Sequence, residues 1–305
     1  MDRCDNPSLQ GCASVASLGA VGLAAESSRT KRVVMNKRRM TIALSATLCA
    51  ITLGLLVAGL TMPEEWYAAN YEVKSLVPSP EHLFGTDFFG HDMFYRSIRG
   101  MSFSLIIGFF AAFASGLVAL LLGAVSAVYG SWVDKAVLWF ADLFMAIPHI
   151  VLLILISFAL GGGIVGVTVA VAATHWPSLT RLIRAEVLRI RTSQYVFASR
   201  SMGKSGLWIA MHHVIPNVMP QFIVGTILLF PHAILHEAAL TFLGFGLPLD
   251  SPAIGAILSE SMKYIATGAW WLAFFPGLMM VIIVLLAYAI GDNVKALIDP
   301  RTAQV

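Results

Sequence analysis

Residues 101–133 read MSFSLIIGFFAAFASGLVALLLGAVSAVYGSWV, 33 positions without a charge. An α-helix rises about 1.5 Å per residue, so about 20 apolar residues cross a hydrocarbon core of about 30 Å. This segment is long enough to span. Its small residues include Ala111, Ala112, Ala114, Ser115, Gly116, Gly123, Ala124, Ser126 and Ala127. In water such a composition weakens a core, whereas in a bilayer it lets helices approach closely. A packed helix–helix interface is expected along it.

Similar runs recur on both sides. Thr41 to Met62 is uncharged for 22 residues. Leu143 to Thr180 holds only the histidines His149 and His175 as ionisable groups, and Gly161, Gly162 and Gly163 divide it into two spans with a tight turn between them. Asn217 to His236 supplies a fifth span, ending near Leu243, and Tyr264 to Gly291 a sixth. In lipid every backbone group must be satisfied within the segment, so these are helices. Strands of a membrane barrel would be about 10 residues long and would alternate, which these segments do not. The expected fold is all-α, a polytopic membrane protein with six transmembrane helices.

Composition agrees. The chain of 305 residues is 58% hydrophobic and 12% charged, against about 25% charged in ordinary soluble domains. There is too little polar surface to cover a soluble core, which argues against both a soluble enzyme and a disordered chain. Three cysteines at irregular spacing make neither a disulfide scaffold nor a structural zinc site. A formal charge of +3 gives no reason to expect a nucleic-acid partner.

With six spans both termini lie on one side. That side would carry sixteen of the 20 Lys and Arg residues, the other only Lys74, Arg96, Arg99 and Lys263. The positive side is cytoplasmic, so residues 63–100 and roughly 245–263 are expected outside. The organisation expected is a flexible cytoplasmic tail over 1–40, a first helix over 41–62, an extracytoplasmic loop over 63–100, a five-helix core over 101–291 and a cytoplasmic tail over 292–305. Leu9-Gln10-Gly11-Cys12 resembles a lipoprotein box but lacks an apolar segment before it. Met35 and Met40 are alternative starts.

The fourth-to-fifth connection, 179–216, is longer than a bundle needs. Leu179, Leu182, Ile183, Val187, Leu188 and Ile190 recur at near-helical spacing, with Arg181, Arg184 and Arg191 between them. A second helix is expected from Tyr195 to Ser201, a break at Gly203, and a restart from Ser205 to Val214 that Pro216 stops. Such a helical knob suits a groove in a soluble partner or, equally on periodicity, anionic lipid.

Within this connection, Tyr195-Val196-Phe197-Ala198-Ser199-Arg200-Ser201-Met202-Gly203, followed by His213-Val214-Ile215-Pro216-Asn217, resembles the cytoplasmic EAA loop of binding-protein-dependent ABC importer permeases. Phe84-Gly85-Thr86-Asp87-Phe88-Phe89-Gly90-His91-Asp92 is similar to the FGTDxxGRD signature of the peptide/nickel branch. Asp142 to Pro148, Glu237 to Gly246, Trp270-Trp271, Phe275-Pro276-Gly277, Gly291-Asp292 and Asp299-Pro300-Arg301 extend the likeness to that branch's second, C-type permease. The resemblance covers about Leu83 to Arg301 and implies an ABC importer type I permease fold. It implies a non-catalytic subunit that binds no cofactor, ATP and magnesium being used by partners. Those partners would be a second homologous permease, two ATP-binding subunits and an extracytoplasmic solute-binding protein, all at a prokaryotic inner membrane among its lipids. Consistently, the chain has no GxxxxGK[ST] phosphate loop. The resemblance also assigns ATPase coupling to Phe197, Ala198, Arg200, Gly203 and Pro216, and the outer signature to Gly85, Asp87, Gly90 and Asp92. Three positions depart from the pattern. Phe197 replaces the loop's glutamate, Ser199 its second alanine, and His91 stands where the signature commonly has arginine. Arg200 and Arg184 are the candidates to offset the lost carboxylate. Asp142 is expected to serve as an anchor or salt-bridge member.

The cargo is read from histidines. His149, His175, His232 and His236 lie in or near spans, where such groups are costly. His232 and His236 are four apart, on one helical face, and could share Ni²⁺, Cu²⁺ or Zn²⁺. They could equally bond to neighbouring helices and fill space. His175-Trp176 and the pair also resemble features of nickel-importing members. Import of nickel or a chelated divalent metal is the leading expectation, with di- or oligopeptide import as the alternative. A secondary transporter would leave the basic 179–216 connection unexplained, and an intramembrane metalloenzyme would want three or more ligands and a base.

Overall fold

A computed structural model of the protein describes residues 39–129, 131–248 and 251–298. The expectations for the 1–38 tail and for Asp299-Pro300-Arg301 lie outside the described residues. The chain divides into two units, Leu48–Asp292 and Met1–Thr47 with Asn293–Val305; the helix packing described below belongs to the first. Among the described residues there are no strands, only an isolated antiparallel bridge between Thr86 and Asp92.

Ten α-helices occur in order along the described residues: α1 Arg39–Thr61, α2 Met93–Tyr129, α3 Ser131–Ala146, α4 His149–Ala159, α5 Gly163–Arg191, α6 Gln194–Ser201, α7 Gly206–Ile209, α8 Ile215–Phe242, α9 Ile254–Met262 and α10 Trp271–Ile298. Four helical stretches are long and apolar enough to cross a membrane, or five if the bent pair α3–α4 counts as one span. The remaining expected span, the fourth along the chain, falls in α5. That helix is 29 residues long but carries Pro177 and a basic last turn, so it is less apolar than the rest.

The third span departs most from expectation. Instead of one helix over Leu143–Leu160, α3 and α4 meet at 98°. Pro148 explains the break. It has no N–H to donate and disfavours helical backbone at Ile147, so the chain turns and Pro148 caps α4 instead. The glycine turn at 161–163 then leads into α5 as expected.

The 179–216 connection is shorter than the sequence suggests, because both flanking helices run into it. α5 continues to Arg191, and Pro216 does not stop the later piece: helix is continuous over Gly206–Phe242. A π-helical turn at Ala210–Val214 widens the coil ahead of Pro216, which then occupies the first turn of α8, where a missing N–H costs little. At the other end, α10 begins at Trp271 and passes Gly291 to reach Ile298. The short α9 is not expected from the sequence.

The small residues of α2 do form an interface, and its glycines show how close it is. Gly100 faces Ile257 of α9, Gly108 faces Ile234 of α8, Gly116 faces Thr226 and Phe222 of α8, and Gly123 faces Thr180 and Ile183 of α5. Steps of eight, eight and seven residues turn by about 80°, 80° and −20°, so the four spread over one broad side of α2 and meet three different neighbours. A β-carbon at Gly123 would stand 2.8 Å from the Thr180 carbonyl oxygen. α1 joins α2 through Ser102, whose hydroxyl donates to the Leu55 and Ile98 carbonyls, and through Arg99, which donates to Gly59.

Gly123→Ala is therefore expected to lower stability by about 1–3 kcal/mol through overpacking against rigid backbone. Gly54 of α1 has open space around it, so Gly54→Ala should be neutral or slightly stabilising. Thermal unfolding of the detergent-solubilised protein reads both; equal melting temperatures for the two variants would contradict the close α2–α5 approach.

Candidate functional site

The candidate functional residues gather at three places along α2 and its neighbours. The first is a knot at the N-terminal end of α2. Asp92 caps that helix, its Oδ1 accepting the Phe94 and Tyr95 amides, while its Oδ2 meets His82 Nδ1 at 2.8 Å. Asp87 is the hub. Its Oδ1 accepts from the Phe89 and His91 amides, and its Oδ2 lies 2.6 Å from His91 Nδ1 and 2.7 Å from Arg96 Nη1. The other arm of Arg96 reaches Glu260 of α9 at 2.6 Å. Gly90 has φ 82°, and a β-carbon there would overlap the Asn70 carbonyl, so only glycine fits. Phe84 stacks on Phe275 and Phe88 on Tyr264, which seats the knot on the start of α10 and the segment leading into it.

Gly85 closes the same loop, its carbonyl accepting the Met93 amide, so the four signature residues fall together. Arg96 and Glu260 are 164 residues apart in sequence; no sequence pattern links them, because only the fold brings them together. His91 bonds Asp87 where the resemblance commonly has arginine, and Arg96 supplies the guanidinium. Burial alone would raise the Asp87 carboxyl. The hydrogen bonds from His91, and the charges of His91 and Arg96, outweigh burial and hold it below its ordinary value.

The second place is the knob formed by α6, α7 and the π turn. Val196, Ile209 and Val214 are buried with Val187 and Ile190 of α5. Ser199 bonds His213 at 2.8 Å, and Trp208 stacks on His212. Gly203 ends α6 at φ 76° with open space around it. Its glycine is needed for the left-handed turn that lets Lys204 N–H reach the Ser199 carbonyl, not for backbone approach. Phe197, Ala198, Arg200, Gly203 and Pro216 are all exposed. Phe197 is 55% exposed, Met202 70% and Leu207 76%, in a stretch that also exposes Arg200, Ser201 and Lys204.

The basic residues that precede the knob turn inward. Arg184 forks onto Asp134 of α3, Arg181 pairs with Asp142, and Arg191 donates to the Ala127 carbonyl at the end of α2. Arg184 is thus engaged by Asp134 and does not stand in for the missing loop glutamate. Asp142 is a salt-bridge member, as expected.

The third place lies among the spans. His232 and His236 do not converge, although they are one turn apart. His232 is turned toward α10, with the Tyr288 hydroxyl 3.1 Å from its Nε2. His236 instead meets His149 of α4 and His175 of α5, with ring centroids 4.5–5.0 Å apart. Next to it, buried Glu237 accepts from the Thr241 hydroxyl, which in turn accepts the Leu247 amide and so ties down the chain after α8. A sequence pattern could not group histidines from three helices whose packing is unknown.

Comparison with known proteins agrees with this architecture. Residues 119–304 match the family model described as binding-protein-dependent transport system inner membrane component. A putative peptide transport system permease protein of Brucella suis is 35% identical over 272 residues, covering 89% of this chain and 91% of the relative. The dipeptide transport system permease protein DppC of Alkalihalophilus pseudofirmus is 33% identical over 267 residues, 88% of each. Among solved structures, a chain of the inward-facing MetNI methionine ABC transporter matches with a TM-score of 0.55 at 23% identity, over 67% of this chain and 97% of that one; it supports the fold.

The knot predicts a pH dependence. Because Asp87's folded pKa is depressed, its contribution to stability is fully present above about pH 3.9, the unfolded value. It is lost as pH falls through the lower folded value. Asp87→Asn should cost roughly 1–3 kcal/mol near neutrality and flatten that acid limb, measured as unfolding midpoint against pH for both proteins. Parallel curves would remove Asp87 as the hub.

Proposed function

The chain belongs to the family of binding-protein-dependent transport system inner membrane components and is a permease subunit of an ABC importer, and from that premise we propose that it forms half of a translocation pathway for di- or oligopeptides. The observation that carries the cargo reading is the run of relatives named as peptide and dipeptide permeases, similar over nearly the whole chain. It favours peptides over nickel as the transported solute.

In this reading the knob is cytoplasmic and docks in a groove of an ATP-binding subunit, two of which serve a pair of permeases. The exposed Phe197, Met202 and Leu207 suit burial against a protein surface, since an apolar patch of this kind is costly in water. Phe197 would dock through packing where the family's loop has a carboxylate. The chain itself would supply no catalytic group and hold no nucleotide; ATP and magnesium act in the partners. Closure of the ATP-binding subunits would push on α6 and α7. The buried contacts of Val196 and Ile209 would pass that push to α5, and the Arg184–Asp134 and Arg181–Asp142 pairs would carry α3 with it. The knot faces outside at the far end of α2, where a solute-binding protein would release its cargo. Both termini are then cytoplasmic, in line with the sixteen-to-four distribution of basic residues.

Two experiments test this. Vesicles reconstituted with the full transporter should take up labelled dipeptide in an ATP-dependent way, and uptake of nickel alone would overturn the cargo assignment. Gly203→Leu should leave the chain folded, with a local cost of about 1–2 kcal/mol for the positive φ. It should cut transport per ATP hydrolysed by misdirecting residues 204–206; unchanged coupling would remove Gly203 from the transmission path.

A further inference from the structure

His149, His175 and His236 come from three different helices, and their nearest ligand atoms all lie within 4.8 Å of one another. His149 is the first residue of α4, directly after the Pro148 break. His175 lies near the middle of α5, and His236 in the second half of α8. Three half-buried imidazoles set against each other among membrane-spanning helices are costly unless something binds them.

Their hydrogen bonding points to what that is. The Nδ1 of His175 is 2.8 Å from the Val171 carbonyl, an acceptor only, so Nδ1 carries the proton. A neutral ring then presents its lone pair at Nε2. That Nε2 is buried without a hydrogen-bond partner, and so is the Nε2 of His149. An imidazole anchored through Nδ1–H to a carbonyl, with a bare Nε2 beside two others, is arranged as a metal ligand with its outer partner in place. Thr174, with its hydroxyl 3.2 Å from the same Nδ1, flanks that anchor.

We propose that His149, His175 and His236 bind one borderline divalent transition-metal ion, of the zinc, nickel or cobalt class, leaving a coordination position open to water or a small donor ligand. Neutral nitrogen donors suit these ions, whereas magnesium and calcium require oxygen. Tetrahedral bonds of about 2.0–2.1 Å place nitrogens about 3.3 Å apart, so modest rotation of the rings closes the site. His232, held by Tyr288, is not a ligand. The proposal is independent of the cargo reading, because binding is observed without any transport step.

The test is a titration of the full chain, purified with its partner subunits in nanodiscs, with Co²⁺ as the probe. One Co²⁺ per copy of this chain should bind, with the intense visible bands of a four-coordinate cobalt ion, and Zn²⁺ should displace it. X-ray absorption on the unmutated protein should count about three imidazole nitrogens at about 2.0–2.1 Å, a readout that needs no variant to fold. His149→Ala and His236→Ala should each weaken binding by roughly tenfold or more, while His232→Ala binds as the unmutated protein does. Absence of the bands, a single imidazole in the absorption spectrum, or a loss on His232→Ala equal to that of the other two would each overturn the site. Peptide uptake measured on the same preparation reports on the cargo reading separately.

Discussion

α2 comes so near to α5, α8 and α9 that a β-carbon at four of its positions would come within 3.0 Å of a neighbouring helix, and the rest of the core is arranged around that approach. Lipid tails are as apolar as leucine, so spans gain nothing by hiding apolar surface from them. What holds such helices together is contact distance and the few polar groups between them. The glycines of α2 supply the first, and Arg99, Ser102 and Arg96 supply part of the second. α2 runs for 37 residues, about 54 Å at helical rise, so one long element joins the signature knot to the foot of the knob.

Both ends of that element are stiff for polar reasons. At one end, Asp87 gathers two amides, a histidine and an arginine, and Arg96 passes the connection on to α9. At the other, arginines of α5 clamp α3 and the last carbonyls of α2. The knob is different in kind. It is seated by apolar contacts underneath and presents Phe197, Met202 and Leu207 outward. Beneath it, the Arg184–Asp134 and Arg181–Asp142 pairs join α5 to α3.

How much of this is legible in the sequence varies with the physics of each part. The spans and the all-α class follow from apolar length, which any bilayer-crossing helix must have. The break at Gly203 and the capped restart after it are legible because glycine and Ser205 act locally. Pro216 misleads for the opposite reason: its effect depends on whether the preceding turn can widen, and here it does. Pro148 is hidden inside an apolar run, although its local rule is what bends α3 away from α4. The role expected of Arg184 fails because its partner, Asp134, lies 50 residues away.

The candidate metal ligands show the same division. Four histidines in apolar sequence are visible by inspection, and spacing by one helical turn suggests the pair His232 and His236. By itself the sequence determined that this chain crosses a membrane as helices, where its signature and knob lie, and that intramembrane imidazoles exist. Only the tertiary structure decided which imidazoles meet, which arginine serves which carboxylate, and that the third span is bent. Periodicity records a residue's direction from its own helix axis, whereas contact between groups depends on how several axes cross, and that is settled by packing across the whole chain.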